Sequence, residues 1–307
     1  MLSALRKKIG RDTLTFYLLI APWIGMFIFL NVFPMGYGFY LSLTKFDGIT
    51  PPRFIGIKNY LKLTADYRFI NSIINTLKFT ALNVMASLVV SFLIAVLLNR
   101  NLRGRGLLRS IFFLPYAIPV IATVFIWKTL LNRESGILNI FINFIMPKFS
   151  ANFLVDLPVF SLISMFIWQS GGSMIIFLAG LQNIPKELIE AAQIDGAHEW
   201  YILRKITLPL MSPVILYQIV VGIMLSFGII VQPILLTSSP GAAFTAFLNQ
   251  QPPFQNFFTI IYAFQQCFTN QNFGYGMAIV WVMFITMVLI TFLFMRVIRG
   301  LIYYEYD

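Results

Sequence analysis

Groups able to do covalent or metal chemistry are sparse in this sequence, while groups able to hold a polar cargo or a protein partner gather in a few places. One cysteine, Cys267, and one histidine, His198, leave no disulfide framework and no His-based metal site. No G-x-x-x-x-G-K-[ST] pattern occurs, so the chain has no P-loop for ATP. Asp47, Asp66, Glu134 and Asp156 are scattered instead of paired, and no Ser/His/Asp set points to hydrolysis. Two polar interruptions of apolar sequence are more informative. Trp168-Gln169-Ser170-Gly171-Gly172-Ser173-Met174 places two glycines among polar side chains, and Ser226-Phe227-Gly228 is followed by Val231 and Gln232-Pro233. Broken helices within a membrane expose backbone groups that can bind polar cargo. Amides and hydroxyls beside an aromatic face suit a sugar ring and its hydroxyls. Close packing of small residues between helices is the competing reading of the same residues.

The elements that position these residues are membrane helices. The chain has 307 residues, 59% hydrophobic and 11% charged, with mean hydropathy +0.82. A soluble domain has about 45–50% apolar and about 25% charged residues, so this balance belongs in a bilayer. The formal charge of +11 is not a nucleic-acid signal, because the basic residues sit at the ends of apolar segments. Spanning helices need about 20 apolar residues, and six segments qualify: 13–33, 73–98, 107–131, 157–181, 210–236 and 273–297. The first is longer than the apolar core of a signal peptide, about 7–15 residues, and is read as a retained helix. The sequence predicts an all-α polytopic membrane protein of six spans. Its parts are an N-terminal span with an external amphipathic segment (1–72), a core membrane domain (73–298) and a cytoplasmic tail (299–307).

Lysine and arginine placement predicts the orientation. One side collects Arg6, Lys7, Lys8 and Arg11, then Arg100, Arg103, Arg105 and Arg109, then Lys186, Arg204, Lys205, Arg296 and Arg299. The other carries Lys45, Arg53, Lys58, Lys62, Arg68, Arg133 and Lys148. The short loop NRNLRGRGLLR weighs most, so both termini are expected in the cytoplasm. The external stretch FIGIKNYLKLTADYRFINSIINT has helical amphipathic spacing and reads as a helix at the interface in preference to a substrate-contacting segment. Lys78 and Lys128 lie near span ends, where they can snorkel. No carboxylate falls in the middle of a span, which argues against a proton- or sodium-driven carrier.

One polar stretch remains, EAAQIDGAHEWYILRKITLPLMSP, on the cytoplasmic side between spans four and five. Pro185 suits a first helical turn and Glu187 and Glu190 complement a helix N-terminus. Ala191 and Ala192 give a small-residue face, and Asp195-Gly196 is a reversal signal. An ordinary interfacial helix hairpin fits this pattern on physical grounds alone. The stretch also resembles the EAA loop of binding-protein-dependent ABC transporter permeases. Glu190, Ala191, Ala192, Asp195, Gly196, Ala197, Trp200, Ile206, Leu208 and Pro209 stand at the family's spacing, with Leu203 where Phe is usual.

The resemblance extends through FIGIKNYLKL, NRNLRGRGLLRSIFFLP, FLAGLQNIP and YAFQQCFTNQNFGYGMAI. The external LTSSPGAAFT is similar to a family loop but has Ser238-Ser239 before Pro240. The likeness is to the first permease subunit of the maltose and glycerol-3-phosphate type, in its compact six-span form. It implies the transmembrane domain of a type I ABC importer in a bacterial or archaeal cell membrane. Residues 184–209 would couple to an ATPase through Glu190, Ala191, Ala192, Asp195, Gly196, Ala197 and Trp200. The cargo path would involve Trp168, Gln169, Ser170, Gly171, Gly172, Phe227, Gly228, Val231 and Gln232. The implied partners are a second permease subunit, two ATP-binding subunits and an extracytoplasmic sugar-binding protein, besides membrane lipid. ATP and Mg would be bound by the partners, with no cofactor, metal or catalytic residue in this chain. The expected cargo is a di- or oligosaccharide, with glycerol-3-phosphate or a polyol as the alternative. A secondary carrier and a membrane-embedded enzyme acting on lipid-linked sugars are the readings of another class.

Overall fold

The computed structural model describes residues 11–100, 103–146, 152–237 and 254–298. The basic N-terminal decapeptide, most of the loop containing LTSSPGAAFT and the tail 299–307 lie outside them. Among the described residues the architecture is helical, with a single two-stranded hairpin.

The first long element joins α1 (Arg11–Phe27) to α2 (Phe33–Ser42) through a wider turn at Ile28–Val32. Pro34 explains that turn. It has no N–H to give the Leu30 carbonyl, and its ring would crowd that carbonyl in regular α geometry. Within Thr15–Ser42, the most apolar stretch buries none of its residues inside the molecule. Past α2, strand β1 (Thr44–Lys45) pairs antiparallel with β2 (Arg53–Phe54), Thr44 opposite Phe54. Asp47 closes the turn by accepting from the Ile49 and Thr50 amides at 2.9 and 2.7 Å.

The amphipathic segment forms α3 (Lys58–Ala65), and it docks on the chain itself. Buried Asn59 donates to the Ser42 and Thr44 carbonyls at 2.8 and 2.9 Å, closing the end of α2, while Ile57 and Leu61 stay exposed. Span two starts earlier than residue 73. α4 (Tyr67–Asn99) is capped by Asp66, whose carboxylate accepts from the Arg68 and Phe69 amides. Its 33 residues extend about 50 Å, beyond the ~30 Å hydrocarbon core.

Three of the expected spans are broken. Span three divides into α5 (Arg105–Ala117) and α6 (Val120–Leu130), bent by 98°. Pro119 is the cause: the residue before a proline is pushed out of helical geometry, and Ile118 is extended at φ −75°, ψ 130°. α7 (Ile137–Ile145) and the short α8 (Phe153–Asp156) follow. Span four divides into α9 (Pro158–Trp168) and α10 (Gly171–Gln182), bent by 48° where the polar interruption was read.

The loop between spans four and five forms α11 (Lys186–Ile194) and α12 (Glu199–Ile202). A wide turn at Leu203–Thr207 precedes Pro209, and α13 (Leu208–Leu210) ends the segment. Span five is α14 (Ser212–Phe227), set at 66° to what precedes it, and the separate α15 (Val231–Thr237). After α16 (Thr259–Phe264), α17 (Phe273–Ile298) is the sixth span, with its apolar stretch at Phe273–Val297.

Lys128 does not snorkel away from the fold. It is half-buried and donates to the Leu235 carbonyl at 3.1 Å, joining α6 to α15. At the hairpin end Asp66 also accepts from Tyr262 and Tyr275, tying the start of α4 to α16 and α17. Burial works to raise the Asp66 carboxyl, but the two phenols and two amides outweigh it and hold it below the usual range.

Two apolar cores form at different depths along the same helices. One holds Phe69 and Phe79 of α4, Leu162 and Met165 of α9, and Phe258, Ala278 and Ile279. The other holds Phe92, Ala95 and Leu98 of α4, Met174, Phe177 and Leu181 of α10, and Met211. On both α4 and the α9–α10 pair, polar residues occupy the stretch between them.

Candidate functional site

That stretch is hollow. A cavity of about 440 Å³ is lined by α4 through Asn83, Ser87 and Ser91, and by the break in span four through Gln169, Ser170 and Ser173. Span five contributes Gln218, Ser226, Gly228 and Gln232, and Tyr116 and Phe166 add aromatic surface. The spacing of Asn83, Ser87 and Ser91 puts all three on one helical face. Asn83 donates to Ser226 Oγ at 3.1 Å and accepts from Ser87, while Ser91 donates to the Ser87 carbonyl. Gln218 donates to the Ser173 carbonyl at 3.2 Å, linking spans four and five.

Gln169 crosses the break in span three. Its Nε2 donates to the Pro115 carbonyl on α5 at 3.4 Å and to Thr123 Oγ1 on α6 at 3.0 Å. The two broken spans therefore meet at one polar joint. Gly171 and Gly172 make the contact close enough. A Cβ on Gly171 would lie 2.4 Å from the Phe112 carbonyl oxygen, and one on Gly172 would lie 2.8 Å from the Tyr116 ring.

Of the residues singled out in the sequence for a cargo path, Gln169, Ser170, Gly228 and Gln232 line the cavity. Trp168, Gly171, Gly172, Phe227 and Val231 are not on its wall. Trp168 packs edge-on to Trp127 with ring centroids 6.2 Å apart, and Phe227 is almost wholly buried. Asn83, Ser87, Ser91 and Gln218 complete the polar wall without belonging to either polar interruption. Four-residue spacing of three polar residues within an apolar helix was the available signal.

The loop at the far end of α4 from the hairpin has a defined turn. Pro185 stands just before α11 as its N-cap, one place earlier than a first-turn residue. α11 ends with Gly196 N–H bonded to the Gln193 carbonyl and Ala197 N–H to the Ala192 carbonyl, at 3.0 and 2.9 Å. This 5→2 and 6→1 pair requires a left-handed residue between them, and Gly196 supplies it at φ +81°. The turn presents its apolar and acidic side chains outward. Ile194 is 87% and Trp200 64% exposed, Glu190, Ala191, Asp195 and Gly196 are exposed, and Ala192 and Ala197 are half-buried. An Arg100–Glu199 ion pair at 2.6 Å ties the turn to the end of α4. Both side chains are exposed, so the pair contributes only about 0–1 kcal/mol.

A helical membrane domain with broken spans around a polar cavity, joined to a protruding helical turn, defines a polytopic permease. The comparisons fix the family. A family model described as the inner membrane component of binding-protein-dependent transport systems matches residues 87–302. The chain is 31% identical over 303 residues to the probable ABC transporter permease protein YesP of Bacillus subtilis (strain 168), covering 97% of this chain and 95% of that one. It is 31% identical over 238 residues to the trehalose/maltose transport system permease protein MalF of Thermococcus litoralis, covering 75% and 79%. Its fold matches a chain of a bacterial ABC transporter that imports the acidic polysaccharide alginate, with TM-score 0.77, 24% identity and 97% and 99% coverage. The chain belongs to the binding-protein-dependent ABC transporter permeases, as a multi-pass, non-catalytic membrane component.

Proposed function

We propose that this permease forms half of the translocation path for a sugar, delivered by an extracytoplasmic binding protein and driven by two ATPase subunits. A second, similar permease supplies the other half. The observation that carries the reading is the turn at 190–200. It is exposed and rigidly closed by Gly196, and α4 and α14 connect it physically to the cavity. ATP-driven closure of the motor would press on Glu190, Ala191 and Trp200 and swing the helices around the cavity between inward and outward access. The turn lies on the cytoplasmic side in this reading, as do both termini. A sugar cargo is supported by the amide- and hydroxyl-lined cavity and by the trehalose/maltose relative. Specificity for glycerol-3-phosphate or a polyol is the alternative from resemblance.

The test is ATP turnover of the complex purified with its co-purifying subunits. Glu190→Lys and Gly196→Pro are expected to abolish cargo-stimulated turnover while the subunits still assemble. Unchanged stimulation in both variants would overturn the coupling role of the turn.

A further inference from the structure

We infer that Tyr116, set in place by Gly172, is the cavity's contact for the ring of a sugar and favours a ring sugar over an open-chain polyol; this rests on the sugar reading above. Among the described residues three aromatic side chains line the cavity, Tyr116, Phe166 and Phe177. Two of them are engaged by the fold. Phe177 is fully buried and packs edge-on to Phe92 with ring centroids 5.5 Å apart. Phe166 meets Phe79 edge-on at 5.8 Å and packs against the apolar core. Tyr116 is 56% exposed, and its hydroxyl bonds to none of the described residues.

An exposed ring is ordinarily free to turn, but this one is held. A Cβ on Gly172 would lie 2.8 Å from Cε2, 2.9 Å from Cζ and 3.1 Å from Cδ2 of the Tyr116 ring. No side chain fits between that side of the ring and the α10 backbone. Phe113 lies alongside with ring centroids 5.6 Å apart, and the carbonyl of the preceding Pro115 accepts from Gln169 Nε2 at 3.4 Å. Gly172 is therefore a positioning residue: anything larger there would push the ring out of its pose.

A ring held in one pose and open to a polar hollow suits a sugar. A pyranose carries C–H groups in a patch on one face, and the electron-rich face of an aromatic ring attracts the positive edge of such groups. Gln169, Ser170 and Gln232 line the same cavity and can pair with the hydroxyls around the sugar's rim. A rigid sugar ring meets a fixed aromatic with little left to order. An open-chain polyol has to freeze several bonds to present the same patch, which costs affinity.

The test is uptake by the reconstituted complex supplied with its binding protein. Glucose, maltose and trehalose are the ring probes, and sorbitol and glycerol the open-chain probes. The readout is the ratio of kcat/KM for ring against open-chain uptake, compared between wild type and variants so that the binding protein's own selectivity cancels. Tyr116→Leu is expected to lower kcat/KM for a ring probe by about three- to tenfold, the size of one aromatic contact, and to change open-chain uptake less. Tyr116→Phe keeps the ring and should recover most of that loss. Gly172→Ala moves the ring without altering its chemistry and should shift the ratio in the same direction as Tyr116→Leu. If only ring sugars are carried, the loss in Tyr116→Leu and its recovery in Tyr116→Phe decide the outcome. Equal losses for ring and open-chain probes, no recovery in Tyr116→Phe, or wild-type ring uptake in both Tyr116→Leu and Gly172→Ala overturns the inference while leaving the sugar reading standing. If no ring sugar is carried while ATP turnover remains coupled, the sugar reading itself falls and this inference falls with it.

Discussion

Two glycines that look alike in sequence do different work. Gly171 stands where α10 meets α5, with the Phe112 carbonyl oxygen 2.4 Å and the Phe113 Cα 2.9 Å from where a Cβ would be. Backbone cannot move aside as a flexible side chain can, so Gly171→Ala should destabilise by about 1–3 kcal/mol or more, as overpacking does. A fall of several degrees in the melting temperature of the detergent-purified protein is the expected reading, and an unchanged value would remove close approach as the reason for glycine. Gly196 has nothing within 4 Å and is constrained by φ +81° alone. Gly196→Ala should cost about 1–2 kcal/mol of local strain, loosening the turn with little effect on global melting. Protease sensitivity at 190–200 reads that loosening. The sequence announced both glycines as breaks, and the Asp195-Gly196 reversal was legible from residue type. The close approach at Gly171 depends on where α5 lies, and no local pattern carries that. Asn83, Ser87 and Ser91 were readable in principle, but a mean hydropathy of 2.5 over the most apolar 18-residue stretch of α4 averages three polar residues out of sight.

At the scale of elements, the breaks in spans three and four act as one joint. Gln169 holds both halves of span three to the break in span four. Gln169→Leu keeps the bulk but takes the donor from buried Thr123 Oγ1, while the Pro115 carbonyl keeps the Ile118 N–H, a loss of about 1–3 kcal/mol. Faster hydrogen exchange in residues 115–123 is expected, and unchanged exchange there would mean the joint is held by packing alone. The hairpin end behaves differently because its tie is charged. The folded Asp66 carboxyl lies below its ordinary value, so its stabilisation is fully present above about pH 4, near the unfolded value. It is lost as pH falls through the lower folded value. Wild type should lose melting temperature below about pH 4 more steeply than Asp66→Asn; parallel curves would sink this assignment. Ile118-Pro119 signalled the break in span three, yet the apolar run 107–131 reads as one span because hydropathy records composition and not direction. The break in span four was legible because its glycines and polar residues interrupt the composition itself.

Across the whole molecule, two apolar cores separated by a polar hollow repeat along neighbouring helices, and the exposed turn lies at one end of them. Six apolar segments and the family likeness were legible, because bilayer length and charge placement are strong constraints on sequence. The hollow was not, since it arises only where the polar stretches of three spans come to one depth. The central claim is that the turn at 190–200 meets an ATPase. Cys267 is buried, and burial pushes its thiol up to about 11, so a cysteine placed on the turn reacts nearly alone. The measurement is crosslinking of Ala191→Cys, in a Cys267→Ala background, within native membranes, with the adduct identified by mass spectrometry. The expected result is an adduct with a P-loop ATPase whose yield changes when ATP is bound. An adduct only with other copies of this chain, or none while the importer is active, would contradict it.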